Sequence, residues 1–249
     1  MKENLLTDNQ IRNKRFLSFG IFFLCICASY FIWQGLRNQA QDKGTAKTLR
    51  KGFLVNESIF SGLFNKKKLV KTYPVSEAVK DVRVNGEYGL ADPSFDPSTW
   101  KMKLVKDGGD TLFLTLEDLK KLPKTDVVFD FKCIEGWSQK TWWSGVTFAN
   151  FVKYYHLEND VNKSFASLST PDKEYYVGID MPSMIQPQTL LCYEMNGKPL
   201  PIDQGAPLRL IIPVKYGIKH LKRIGTMYFS NNRPPDYWAE RGYDYYSGH

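Results

Sequence analysis

Residues 127–138 read VVFDFKCIEGWS. The first half alternates with a period of two, so Val127, Phe129, Phe131 and Cys133 share one face of a strand. The strand then stops at a Glu135-Gly136-Trp137-Ser138 turn. Two readings of Cys133 stand side by side. A free cysteine is among the most buried residue types, which makes a packed structural thiol the ordinary reading. A soft sulfur at a strand end beside a loop is also a good place to hold a soft metal.

The surroundings are mostly short strands. Residues 100–105 alternate and are turned by Gly108-Gly109, and Thr115 stands where it can cap a short helix. Helical periodicity returns over 147–155 through Phe148, Phe151, Val152 and Tyr155. Residues 165–168, 175–179, 190–195, 208–214 and 224–229 read as strands, with Asn196-Gly197 as a turn after the third. The pattern predicts an α+β domain, strand-rich with few helices.

The chain has 249 residues, 43% of them hydrophobic, enough for one domain with a substantial core plus an appendage. Its net charge of +8 favours anionic partners. With no arginine-rich or RNA-binding signature, no nucleic-acid partner is expected. The appendage is N-terminal: residues 16–33, FLSFGIFFLCICASYFIW, are 18 residues without a charge. As a helix they would extend about 27 Å, near the thickness of a bilayer core. The run is long for a cleaved signal and no small-x-small site follows it, so an uncleaved anchor over 16–35 is expected. Ile26 spoils a lipid-attachment box around Cys25 and Cys27. Flanking charges (Lys2, Arg12, Lys14 and Arg15 before; Arg37, Lys43, Lys47, Arg50 and Lys51 after) nearly balance and set no orientation. The expected organisation is a tail at 1–15, a transmembrane anchor at 16–35, a stalk or linker at 36–75 and a single globular domain at 76–249. The run Lys66-Lys67-Lys68 is either a solvated loop or a contact with an anionic membrane surface.

Several chemistries lack their residues. His156, His220 and His249 show no helical pairing, and the cysteines lack CxxC spacing, so zinc hydrolysis has no ligand set. There is no GxSxG elbow, P-loop, GxGxxG or CxxCH. The stronger constellation is GAPLRLIIPVKYGIKHLKRI, residues 205–224. Arg209 interrupts an apolar strand, and a buried guanidinium needs a carboxylate, a phosphate or an equivalent acceptor. Lys215, Lys219, His220, Lys222 and Arg223 follow around a Tyr216-Gly217 turn. Such a loop can cradle a phosphate with main-chain N–H groups and ammonium groups, or it can be a solvated basic face with Arg209 paired to a core carboxylate.

Together, FKCIEGWS and GAPLRLIIPVKYGIKHLKRI resemble the catalytic domain of the sulfite oxidase family of molybdenum enzymes, and most nearly the bacterial methionine-sulfoxide reductase branch. The similarity runs from about Val82 to RPPDYWAERGY, residues 233–243. It implies a sulfite-oxidase-type molybdopterin-binding domain in which Cys133 is both the catalytic residue and the molybdenum ligand. It further implies a cofactor of the mononucleotide-free pterin form, bound by Asn85, Tyr88, Gly89, Thr170, Gln204 and Arg209 and by the phosphate loop His220-Leu221-Lys222. Gln204 departs from the Asn or His that relatives often carry. The implied activity is oxygen-atom transfer, with reduction of a sulfoxide or similar oxide, small or protein-bound, ahead of sulfite oxidation. A sulfite dianion would want several arginines, and outside the phosphate loop only Arg83, Arg233 and Arg241 are at hand. Electrons would come from a membrane haem, quinol or cytochrome partner. The expected location is the inner membrane, single-pass, with the domain periplasmic. A redox-inactive binding or assembly protein on the same fold is the reading of a different class. Cys192 is expected to be a strand core residue.

Overall fold

The computed structural model describes residues 7–42, 44–65, 69–84 and 86–249. Two compact units are distinguished, Met1–Leu54 and Val55–His249. In the first, α1 (Asp8–Arg37) is opened by a capping box in which Thr7 and Gln10 satisfy each other's main-chain N–H groups. None of its residues is buried, and it is long and apolar enough to cross a membrane. A small antiparallel pair, β1 (Gln41–Asp42) with β2 (Thr45–Ala46), leads to α2 (Lys47–Leu63), a helix within the stretch read as stalk.

The second unit carries two five-stranded sheets. The strands of one are β5 (Lys124–Lys132), β6 (Ser138–Thr147), β9 (Leu190–Met195) and β10 (Lys198–Pro199), in the order β10-β9-β6-β5, with β11 (Arg209–Ile211) also on β9. The other, in the order β4-β3-β12-β7-β8, is built from β3 (Met102–Val105), β4 (Thr111–Leu114), β7 (Phe165–Ser169), β8 (Tyr176–Asp180) and β12 (Thr226–Ser230). Helices are short: α3 (Leu116–Lys120), α4 (Phe148–Tyr155) and α5 (Met181–Met184). The α+β expectation therefore holds. Thr115 caps α3 with Asp118, and Thr147 caps α4 by accepting from the Asn150 N–H.

The Cys133 strand is the outer arm of a hairpin, with Val127 opposite Trp143 and Phe131 opposite Gln139. The inner arm, β6, has no counterpart in the sequence reading. Its core-facing positions include Thr141 and Ser144, both fully buried, so the apolar alternation is broken although the strand is real. Residues 208–214 were expected to be one strand; only Arg209–Ile211 pair, because Pro213 offers no N–H and the chain turns where Lys215 N–H donates to Ile212 O. Upstream, Thr72 bridges to Phe129 and Tyr73 N–H donates to Val128 O, so residues within the 36–75 stretch already pair with β5.

Candidate functional site

β5 ends at Lys132, and Cys133 is the first residue beyond it. Its N–H donates to Trp137 O (2.9 Å) and its carbonyl accepts from Gly136 N–H (3.0 Å), so the turn fixes the thiol from both sides. Cys133 is 3% exposed. It lines a cavity of about 220 Å³ together with Tyr88, Tyr175, His220, Lys222 and Trp238. Burial pushes the thiol's pKa up, against an opposing main-chain hydrogen bond at Glu135. At neutral pH the thiol therefore keeps its proton, which any metal binding at Sγ would have to displace.

The structure gathers Tyr88, Cys133, His220 and Lys222 around that one space. Arg209 is not on that wall: it lines a separate, smaller space with Gln204 and Trp143, and its Nη2 lies 3.5 Å from the His220 carbonyl. Asn85 lies outside the described residues; Gly86, which follows it in sequence, lines the cavity. Gly89 has φ of 72° and abuts Thr170: a Cβ there would sit 2.7 Å from Thr170 Oγ1. Thr170 is fully buried, and its hydroxyl donates to Asp172 (2.5 Å) while accepting from Tyr175 N–H (3.1 Å). Thr170 thus holds the loop behind the cavity. Leu221 puts its side chain into the main core and its carbonyl onto Leu210 N–H, so only its main chain is near the site.

Arg209 is 1% exposed. Its Nη1 donates to both the carbonyl and Oε1 of Gln204 (3.0 Å each), and the guanidinium lies 4.6 Å from the Trp143 ring centroid. Among the described residues no carboxylate pairs with it, and its buried Nε has no hydrogen-bond partner. Burial lowers its pKa to about 10. Gln204 therefore aims Arg209 and is itself tied to Val82 O by Nε2 (3.2 Å). Among the described residues Lys222 donates to two main-chain carbonyls, Gly86 O (2.8 Å) and Asp203 O (2.9 Å). Burial, with Arg209 nearby, lowers its pKa to about 7. Two neighbouring buried cations with neutral partners favour an anion.

One sequence expectation needs correction. The basic residues of 215–223 do not form a single cradle. Lys215 Nζ is 2.6 Å from Asp180 Oδ1, and Lys219 Nζ is 2.5 Å from Asp236 Oδ2. Buried ammonium groups need such partners, and these two are committed to the core. Arg223 donates to Ala206 O and stacks on Phe95 at 3.9 Å. His220 is pushed down to about 3 by burial first and by Arg209 second, so it is neutral, with Nε2 3.1 Å from Lys215 O. Cys192 is a core thiol as expected, fully buried, its pKa pushed up to about 12.

Sequence reasoning gave no role to Tyr175, Trp238 or Glu135, which also line the cavity. Tyr175 donates to Ile218 O (2.6 Å), and Tyr88 packs against Tyr175, Tyr237 and Trp238 at centroid distances of 4.9–6.2 Å. The signal for Trp238 was the C-terminal aromatic motif; Tyr175 looked like any strand residue.

The profile of the oxidoreductase molybdopterin binding domain matches residues 89–238. A sequence of Azospira oryzae, provisionally named protein-methionine-sulfoxide reductase subunit YedZ1, is 31% identical over 78% of this chain and 73% of its own length. The protein-methionine-sulfoxide reductase catalytic subunit MsrP of Campylobacter jejuni is 30% identical over 62% of this chain and 58% of its own. Mitochondrial sulfite oxidase of Rattus norvegicus is 28% identical over 64% of this chain and 34% of its own. The chain thus spans under two thirds of the latter two. Among solved structures, the sulfane dehydrogenase SoxCD of Paracoccus pantotrophus superposes with a TM-score of 0.49 at 14% identity, over 56% of this chain and 40% of that one. By the profile and these sequences, this chain belongs to the molybdopterin-binding oxidoreductase family.

Proposed function

We propose that the protein reduces a sulfoxide or similar neutral oxide at a molybdenum centre ligated by Cys133, with a single-phosphate pterin held by Arg209, Lys222 and the main chain of 220–222. The observation that carries this is the union of a buried thiol and Lys222 in one cavity, near an arginine whose buried Nε lacks a hydrogen-bond partner among the described residues. When bound, the cofactor supplies the oxygen-atom exchange and stores the electrons. The chain's residues do the rest. Cys133 fixes the metal, Gln204 orients Arg209, and the wall of Tyr88, Tyr175 and Trp238 limits water and gives a thioether-like substrate an aromatic surface.

The lining supports a neutral substrate. It contains Glu135, Lys222 and neutral His220 but, among the described residues, no arginine. Arg83 sits over Trp137 and 4.0 Å from Glu135, Arg233 pairs with Glu57, and Arg241 lies over Tyr237. Relatives named methionine-sulfoxide reductase subunits support the same reading. The apolar α1, none of whose residues is buried, supports anchoring through residues 16–35 in the inner membrane, with residues 76–249 as the periplasmic catalytic domain and a membrane haem, quinol or cytochrome protein as electron donor.

The test is elemental and pterin analysis of protein from a molybdenum-replete host, then turnover with methionyl sulfoxides and with sulfite. Stoichiometric molybdenum with sulfoxide turnover is expected, and Cys133→Ala should keep the fold while losing turnover by at least about 10³-fold. Metal-free protein from a host proven to make the cofactor, or preferential oxidation of sulfite, would refute the reading.

A further inference from the structure

α2 buries none of its residues. At 100° per residue, Val55, Ile59, Leu63 and Phe60 fall within an arc of roughly 140°. They are 58%, 53%, 73% and 58% exposed, respectively. No acidic residue lies in that arc. Glu57 projects from another side of the helix and meets Arg233 at 2.5 Å, and Phe64, just past the helix end, packs on the main core. The domain therefore grips α2 on one side and leaves a largely apolar face on another, interrupted only by the uncharged Asn56. Basic residues bracket this face in sequence: Lys47, Arg50 and Lys51 within the helix, and Lys66-Lys67-Lys68, outside the described residues, just after it.

We infer that α2 lies in the headgroup region of a bilayer containing anionic lipid, its Val55-Ile59-Phe60-Leu63 face in the acyl boundary. This would be a second membrane contact, beside α1. An apolar helical face without carboxylates, flanked at both ends by cations, matches the chemistry of such an interface. A protein partner would want polar groups on its rim as well as apolar anchors. The inference rests on the anchoring reading of α1. Nine residues separate Arg37 from Lys47, so a chain leaving the membrane at Arg37 starts α2 no more than about 35 Å away even at full extension. The face itself is apolar whatever α1 does.

The experiment uses the molybdenum-loaded full chain in vesicles of phosphatidylcholine and phosphatidylglycerol. Cys25→Ser and Cys27→Ser remove the accessible native thiols; Cys133 and Cys192 are buried. Nitroxides are then placed by Ile59→Cys, Leu63→Cys and, as a water-facing reference, Ser61→Cys. Labels at 59 and 63 should meet dissolved oxygen several-fold more, relative to a nickel chelate, than the label at 61. Chelate access at 59 equal to that at 61 overturns the inference. So does exclusion of both probes, which would mean that protein covers the face. Alkaline carbonate extraction of the same vesicles reports α1 separately. Protein washed off by carbonate sinks the anchor reading, whereas a chelate-exposed label at 59 in carbonate-resistant protein sinks only the α2 contact.

Discussion

At the scale of single residues, the site turns on which cations have carboxylate partners. Lys215 and Lys219 do, while Arg209 and Lys222 have only neutral acceptors among the described residues. Lys222 carries a pH prediction. Its pKa in the folded protein is about 7, against 10.5 ordinarily. Below about 7 both folded and unfolded chains hold the proton, and burying the charge costs its full amount. Between about 7 and 10.5 only the unfolded chain holds it, so this cost fades and stability rises with pH. Phosphate binding runs the other way, because it needs the ammonium form. Pterin retention during dialysis should therefore be greatest near pH 6 and fall as pH rises past 7 to 9. Lys222→Met should release pterin faster at pH 6 and flatten the profile. Fluorescence of the released, acid-oxidised pterin measures both; a Lys222→Met profile with wild-type slope would exclude this lysine. Legibility divides here as well. Arg209 stood out because it contradicts its local pattern, a charge inside an apolar strand; Cys133 fits its local pattern and stood out only through the FKCIEGWS motif read together with the 205–224 segment. Tyr175 did not, since its neighbours explain it.

At the scale of elements, the hairpin of β5 and β6 positions the thiol and β9 supports it. β6 meets β9 with a register shift between Ser144 and Gly145. Gly145 lies against the Leu191 carbonyl, and a Cβ there would come within 2.7 Å of Cys192 Cα. Main chain cannot retreat as a flexible side chain can, so Gly145→Ala must spread the two strands. A loss of about 2 kcal/mol or more is expected, read as a lower urea midpoint. An unchanged midpoint would mean that the strands are not held this closely. The Thr115 cap was visible in the sequence, because it acts on a residue three positions away; the Thr147 cap on Asn150 emerged with the structure. β6 was not visible, because buried Thr141 and Ser144 break its apolar alternation: Thr141 Oγ1 accepts from Trp143 Nε1 at 2.6 Å, and Ser144 Oγ donates to Asp126, a partner 18 residues away that only the folded hairpin supplies. The strand over 208–214 was overread, since its apolar run continues into a turn that is equally buried.

At the scale of the whole molecule, residues 205–226 stitch the two sheets together. β11 pairs with β9 in one sheet, and further on Gly225 N–H donates to Ser169 O (2.7 Å) while its carbonyl accepts from Lys103 N–H (2.8 Å) in the other. The cavity sits along this crossing. Lys219 fastens it, with both it and Asp236 no more than 2% exposed. Lys219→Met would leave Asp236 buried without its cation, at a cost of about 3–5 kcal/mol. Thermal unfolding should show the loss, while molybdenum per folded molecule stays near that of the wild type; a small change in midpoint would mean that water reaches Asp236. The sequence by itself determined the family, the strand-rich α+β class and the apolar N-terminal helix, and it singled out Cys133 and Arg209, on which the proposed site rests. These are recorded in local pattern and in motifs set by covalent spacing. Only the tertiary structure decided which basic residues remain for an anion and which are spent in the core. It also decided which aromatic groups wall the cavity and which face of α2 is left bare. Those outcomes depend on distances between segments far apart in the chain, and burial makes each unmatched charge expensive enough to choose its partner.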